Sequence, residues 1–301
     1  MSPLPSVPWW QGWPPLLVLP AAVLLFFPAA WPRWLLMWAL VGSIYLGFKW
    51  LTWRRTPVAG VPFWRHAGYL LAWTGLDAVA FLTATAAHLP ARSEWSFAVA
   101  KILVGLGVIF GAARWVPEGL PYLTGWVGMI GLILVLHFGL FQFLSCAWRA
   151  AGVEARPLMR WPLASTSLGE LWGRRWNTAF RDLTHRFLFR PLTPRLGPSG
   201  ALFVVFLVSG LIHDLVVSIP AGGGYGGPTL FFLVQSLGIY AERSRRGRAL
   251  GLGRGLAGWL FTMLILAVPV WLLFHPPFVL GVIVPFLRDL GAISCATSCP
   301  T

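Results

Sequence analysis

The stretch "FLVSGLIHDLVVSIP", Phe206 to Pro220, decides the class of this chain. It is apolar over a length that suits a bilayer, yet it carries His213 and Asp214 side by side near its middle. An ionisable group at that depth costs about 2.5–3.5 kcal/mol on insertion scales, so it faces a protein interior or a water-filled cavity rather than lipid. Two readings of His213 stand open on this stretch alone. In one, the ring bonds to a backbone carbonyl or to Ser209, one turn earlier, and only packs. In the other it does chemistry. Asp214, adjacent in sequence, points about 100° away on a helix, so spacing gives it no part in orienting the ring.

The rest of the chain fits a membrane. Of its 301 residues 57% are hydrophobic and 11% charged, with a mean hydropathy of +0.72. A water-soluble domain of this size needs more charge to cover its surface. The 19 Trp, in pairs such as Trp9–Trp10 and Trp31/Trp34 at the edges of apolar runs, read as an aromatic belt. No Lys or Arg precedes Arg33, so the first apolar run lacks the charged start of a secretory signal and is expected to be a retained membrane segment. Cys146 ends an apolar run and Cys295 and Cys299 sit in the terminal tail, which gives neither a disulfide framework nor a metal site.

Apolar runs at 14–31, 34–50, 67–87, 95–113, 120–146, 200–219, 228–240 and 256–274, with a shorter one near 277–287, predict an all-α, polytopic bundle of about 8–9 membrane segments. Nothing alternates as a barrel strand would. The chain is read as one integral-membrane domain, 1–301, with its informative core at about 160–240.

The formal charge of +14 comes almost wholly from arginine. Residues 147–199 hold nine Arg against three acids, and 241–255 hold five Arg against Glu242. Such clusters mark the cytoplasmic side first, and suit anionic headgroups or a phosphate-bearing ligand second. No nucleic-acid partner is expected. Lys49, Arg54, Arg55 and Arg65 put the 51–66 loop on that side too, while "PAGGGYGGPT", Pro220 to Thr229, is uncharged and reads as the other. Three full crossings between 67 and 146 would then strand the 147–199 cluster on the wrong side, so one of those runs is expected to be re-entrant, tilted or doubled. Within 147–199, Ser167 to Phe189 reads as an amphipathic helix on the cytoplasmic face (about 160–190), stopped by Pro191, Pro194 and Pro198.

Three blocks in order, "SLGELWGRRWN" (Ser167–Asn177), "FLVSGLIHD" (Phe206–Asp214) and "YGGPTLFFLVQ" (Tyr225–Gln235), carry a resemblance. Together they resemble the plant-type wax synthases of the membrane-bound O-acyltransferase (MBOAT) superfamily, alongside diacylglycerol and sterol acyltransferases. The likeness covers roughly Pro162 to Gln235. It implies an intramembrane histidine and an upstream asparagine as signature residues, here His213 and Asn177, with Asp214 where many relatives carry Glu. The activity implied is transfer of an acyl group from acyl-CoA, as co-substrate and with no other cofactor or metal, to a lipid hydroxyl, first of all a long-chain alcohol. Diacylglycerol, sterol or terpenoid acceptors, and a non-enzymatic transporter, are the alternatives.

The residue types suit that chemistry. A neutral imidazole, with an ordinary pKa near 6.5, takes the proton an alcohol must lose as it attacks a thioester. A carboxamide donates to a carbonyl oxygen without an ionic charge to desolvate. Arg174, Arg175 and Arg181 are candidates for the coenzyme A phosphates; Trp176, Ser209 and Gln235 are further candidate substrate contacts. Asp77 and Lys101 are expected to form a buried structural pair. His137 and Gln142 are expected to line a tunnel or bond across helices, His185 to lie on the surface first and to contact a head-group second, and Tyr225 to cap the outer mouth.

Overall fold

The computed structural model describes residues 10–84 and 86–293; Trp9, Cys295 and Cys299 lie outside these. Among the described residues all regular structure is helical. Five helices are long and apolar enough to cross a membrane: Arg33–Arg54, Arg92–Trp115, Pro121–Ala150, Thr178–Ala221 and Gly255–Leu273. Pro14–Phe26 is a shorter apolar helix, and Gly227–Arg243 is a 17-residue helix packed against Thr178–Ala221. Their outer faces are apolar, with Leu103, Val104, Leu237 and Leu264 all more than half exposed, as lipid-facing residues are.

The apolar run at 67–87 is not a span. It forms two short helices, Phe63–Leu71 and Ala78–Thr83, joined by an extended link. Backbone outside a helix survives at membrane depth only where its polar groups are met by protein or by a cavity. Here three side chains meet them. Trp148 Nε1 donates to the Ala72 carbonyl at 2.9 Å, Tyr45 to Trp73 at 2.8 Å, and Lys49 Nζ to Gly75. Lys49 is 1% exposed, and its ammonium lies 3.8 Å from the centre of the Tyr69 ring, whose face supplies further attraction.

With that run removed as a crossing, two full spans separate the 51–66 loop from the 147–199 segment, and both fall at one end of the bundle. Arg65 reaches the Gly152 carbonyl at 3.3 Å and Arg186 reaches Arg55 at 2.6 Å. The charge conflict thus comes from a segment that dips in and returns. The uncharged Pro220–Thr229 loop lies at the opposite end, where Arg33 donates to the Ala221 carbonyl at 3.0 Å.

Two further expectations are corrected. Asp77 and Lys101 do not pair: Asp77 accepts from the Ala80 amide as the cap of Ala78–Thr83, and Lys101 donates to Gln142 at 2.6 Å. The break at 72–77 makes Asp77 a helix start, and that is the reason. Nor is 167–189 one helix. The chain turns at Trp176 (φ −108°, ψ 126°) and Asn177 (φ 41°, ψ 62°), and a new helix starts at Thr178. That helix runs through Pro191 and Pro194 to Ala221 and kinks at Gly197 (φ 68°, ψ 169°), just before Pro198.

Candidate active site

A cavity of about 370 Å³ lies inside the family-like core. It is enclosed by the turn at 169–177, one face of Thr178–Ala221 and one face of Gly227–Arg243. On the long helix Leu202, Val205, Phe206, Ser209 and His213 recur at helical spacing, and Phe232, Ile239 and Arg243 do so on its partner. From Leu202 to His213 this face extends roughly 16 Å at the α-helical rise. His213 and Asn177, 36 residues apart in sequence, both line it.

His213 meets both of its readings, one at each nitrogen. Its Nδ1 lies 2.7 Å from the Ser209 carbonyl oxygen, so in the neutral ring Nδ1–H donates there and Nε2 keeps its lone pair. Nε2 has no protein partner among the described residues and is not among their sealed, unsatisfied polar atoms. The ring is held by Phe232, with centroids 4.5 Å apart. A π-helical turn, Asp214–Ser218, begins directly after it. Single π turns inside α-helices recur at functional sites.

Asp214 turns the other way, to the loop. One oxygen accepts from Ser218 Oγ (2.8 Å) and the Gly226 amide (2.8 Å), the other from the Thr229 amide (3.1 Å) and the Thr229 hydroxyl. It therefore caps the start of Gly227–Arg243, the helix that brings Phe232 to His213.

Asn177 stands in the left-handed region, which an L side chain other than Asn or Asp seldom adopts. Its Oδ1 accepts from the Phe180 amide at 3.2 Å and caps the helix that ends in the His213 face. Its backbone amide points to Met159 Sδ at 3.1 Å. Asn177 lines the cavity, and its carboxamide NH2 is left without a protein partner among the described residues.

The remaining sequence candidates separate. Trp176, Ser209 and Arg181 line the cavity, and so does His185, which is exposed as expected. Gln235 does not: it is fully buried behind the wall, donating to Ile265 (2.8 Å) and accepting from the cavity residue Trp172 (3.4 Å). Arg175 is tied to Glu170 at 2.7 Å and to the Arg160 and Trp161 carbonyls at 3.3 Å. Burial opposes ionisation of Glu170, but the Thr166 amide and Arg175 together hold its carboxyl below the usual range. Arg174 faces a different cavity. His137 stacks behind Trp176 at 14° and does not line the site, while Gln142 bonds across helices to Lys101 and to the Glu94 carbonyl. Tyr225 is 67% exposed on an outer apolar groove. Sequence reasoning missed Arg243, whose signal was its place eleven residues after Phe232 on one helical face.

Residues 155–234 match the membrane bound O-acyl transferase family, a stretch that includes Asn177, His213 and Phe232. Over that segment the chain is similar to the membrane bound O-acyl transferase family. A long-chain-alcohol O-fatty-acyltransferase of Simmondsia chinensis is 32% identical over 101 residues, 29% of each chain. Probable long-chain-alcohol O-fatty-acyltransferase 2 of Arabidopsis thaliana is 31% identical over 156 residues, 48% of this chain and 43% of the relative. An acyl-CoA–sterol O-acyltransferase of Arabidopsis thaliana is 35% identical over 71 residues, 21% of each chain. These matches span less than half of the relatives' own length. In acyl transferase terms, the family segment contributes the Asn177 turn, the His213 helix and the first part of the helix carrying Phe232.

Proposed function

We propose that this protein is an O-acyltransferase acting within the membrane, which moves an acyl group from acyl-CoA to the hydroxyl of a long-chain alcohol. The observation that carries the reading is the shared cavity: it is lined both by an imidazole with one nitrogen committed to Ser209 and one without a protein partner, and by a carboxamide whose oxygen is committed and whose NH2 has no protein partner among the described residues. The names of the fatty-alcohol relatives favour that acceptor, and the sterol relative keeps a sterol as the second.

In the proposed step the acceptor hydroxyl gives its proton to His213 Nε2 as its oxygen bonds to the thioester carbon. The Asn177 NH2 donates to the carbonyl oxygen as negative charge develops there. The C–S bond breaks, and the imidazolium returns the proton to the departing thiolate. No covalent enzyme intermediate and no cofactor besides acyl-CoA enters. Apolar walls keep bulk water, the competing acceptor, away from the thioester.

The Arg-rich end is proposed to be cytoplasmic, by the bias of basic residues to that side. The shorter helices Pro14–Phe26 and Gly227–Arg243 and the stretch 276–289 are proposed to be membrane-embedded as well, which with the five long spans makes eight segments. Purified protein given labelled acyl-CoA with a panel of fatty alcohols, diacylglycerol and sterols tests the function. Ester on the fatty alcohol is expected; proton-coupled solute uptake without any ester would replace this reading with transport.

A further inference from the structure

Glu242 is a buried carboxylate that the proposed step does not use. It is 6% exposed near the end of Gly227–Arg243, and arginines follow it at 243, 245, 246 and 248. Among the described residues it forms an ion pair with none of them. Both of its oxygens go instead to backbone 73 and 74 residues earlier. Its Oε2 accepts from the Leu168 amide at 2.8 Å and its Oε1 from the Gly169 amide at 2.9 Å. Those amides open the turn that carries Trp172, Trp176 and Asn177 to the cavity. Ser167 Oγ accepts the next amide, that of Glu170, at 2.9 Å. Packing follows the same line. A Cβ on Gly238 would meet Leu168 Cδ1 at 2.4 Å, and a Cβ on Gly169 would come 3.0 Å from Glu242 Oε1. Glycine at both places lets the two elements approach this closely.

We infer that Glu242 is a positioning residue: it ties the Asn177 turn to the helix that carries Phe232, and so fixes where the carboxamide stands relative to His213. Its effect on the reaction rests on the proposed acyl transfer; the tie itself does not. Glu242 does not line the cavity, and acts only through the turn. At its far end the turn is held by main chain, where the Arg160 amide donates to Arg175 at 2.8 Å and the Thr178 amide to Leu158 at 3.1 Å. Between the two ends Trp172 reaches Gln235, on the same helix as Glu242, at 3.4 Å. The two shorter bonds of Glu242 therefore carry the polar part of that attachment, and bonds from amides to an ionised acceptor are about twice as strong as neutral ones. A donor aimed at a developing oxyanion is sensitive to small displacements, and about 1 Å can cost about 10²-fold in rate. A residue that touches no substrate thus sets the rate by holding one that does.

The test is a double-mutant cycle in the purified full chain. Glu242→Gln is close to isosteric but keeps an acceptor for only one of the two amides. Its kcat for ester formation is expected to fall about tenfold, with the KM for acyl-CoA within about twofold of native, as a misplaced oxyanion donor requires. Added to Asn177→Asp, which already lacks the donor, it is expected to lower kcat by less than about twofold more. The same tenfold loss in both backgrounds would mean a general loosening of the fold and overturn the role, as would native kcat in Glu242→Gln alone. Hydrogen exchange reads the tie without any chemistry. In Glu242→Gln the amides of 168–177 are expected to exchange about tenfold faster or more, and those of 229–238 at the native rate. Unchanged exchange at 168–177 overturns the tie. If the native protein makes no ester with any acceptor, the acyltransferase reading fails, and the exchange comparison alone decides the tie.

Discussion

The Nδ1 of His213 and the carbonyl oxygen of Ser209 stand 2.7 Å apart, one turn from each other on the same helix. A histidine held this way has a fixed tautomer, with its acceptor nitrogen on the far side. The orienting group is backbone, and the Ser209 hydroxyl is occupied elsewhere, donating to the Val205 carbonyl at 2.8 Å. Replacing the side chain therefore leaves the orienting bond in place. Ser209→Ala is expected to keep kcat within about threefold of the native protein, read by ester formation from labelled acyl-CoA. A hundredfold loss would give the hydroxyl a role in binding substrate.

Asn177 combines three demands, and substitutions separate them. Asn177→Ala loses the helix cap, about 1 kcal/mol, and forces a left-handed backbone on alanine, about 1–2 kcal/mol more. Asn177→Asp keeps a capping oxygen and tolerates that backbone, but has no NH2 to donate. Its melting temperature is expected to stay near the native value while kcat falls about 10²-fold, the scale of a lost oxyanion donor. Native-like turnover by Asn177→Asp would make the residue a cap only.

Gly210 lies where the two helices that carry the site touch. A Cβ there would meet the Thr229 Cα at 2.5 Å, a backbone atom that no rotamer change moves aside. Gly210→Ala is expected to cost about 1–3 kcal/mol, as overpacking does, and to lower activity by shifting Phe232 from His213. Thermal melting and turnover measured together check this; an unchanged melting temperature would mean that the crossing is looser than described.

At the opposite end His275 is 5% exposed and takes part in two bonds. Its Nδ1 accepts from the Phe278 amide at 3.2 Å, which leaves Nε2–H facing the Ser218 hydroxyl at 3.2 Å; that hydroxyl donates to Asp214. Burial holds this imidazole below its ordinary pKa, more strongly than the Asp214 charge raises it. The unfolded chain takes up a proton near pH 6.5, the folded one only at lower pH. Between those values the unfolded state binds more protons, so stability falls as pH drops below about 6.5. The melting temperature is expected to decline between pH 7.5 and 5.5, and less steeply in His275→Asn, which keeps an acceptor for the Phe278 amide. Parallel slopes would show that His275 is not the group responsible.

What the sequence made legible was the part governed by composition and local spacing. A buried ionisable group in an apolar run marked His213, and helical spacing from Leu202 onward was there to be read. The rest was set over long range. Asn177 looked mid-helical because Trp172 and Trp176, and Arg174 and Arg181, recur at helical spacing; only the cap and the contacts of 158–159 with 177–178 make it a turn. The run at 67–87 looked like a span because its carbonyl partners, Tyr45, Lys49 and Trp148, lie 26 to 76 residues away. Arg174 and Arg175 are neighbours in sequence yet serve different places, one a cavity and the other Glu170. Asp214 gave no sign of its task, because apart from Ser218 one turn on, its partners come 12 and 15 residues later.

The central claim is that the open nitrogen of His213 takes the acceptor's proton. It is tested most directly by single-turnover ester formation in purified, folded His213→Ala, with labelled acyl-CoA and a long-chain alcohol at saturating concentrations. The account predicts a fall of about 10²–10⁴-fold in the chemical step, with acyl-CoA binding retained. A variant that forms ester at near the native rate would contradict it.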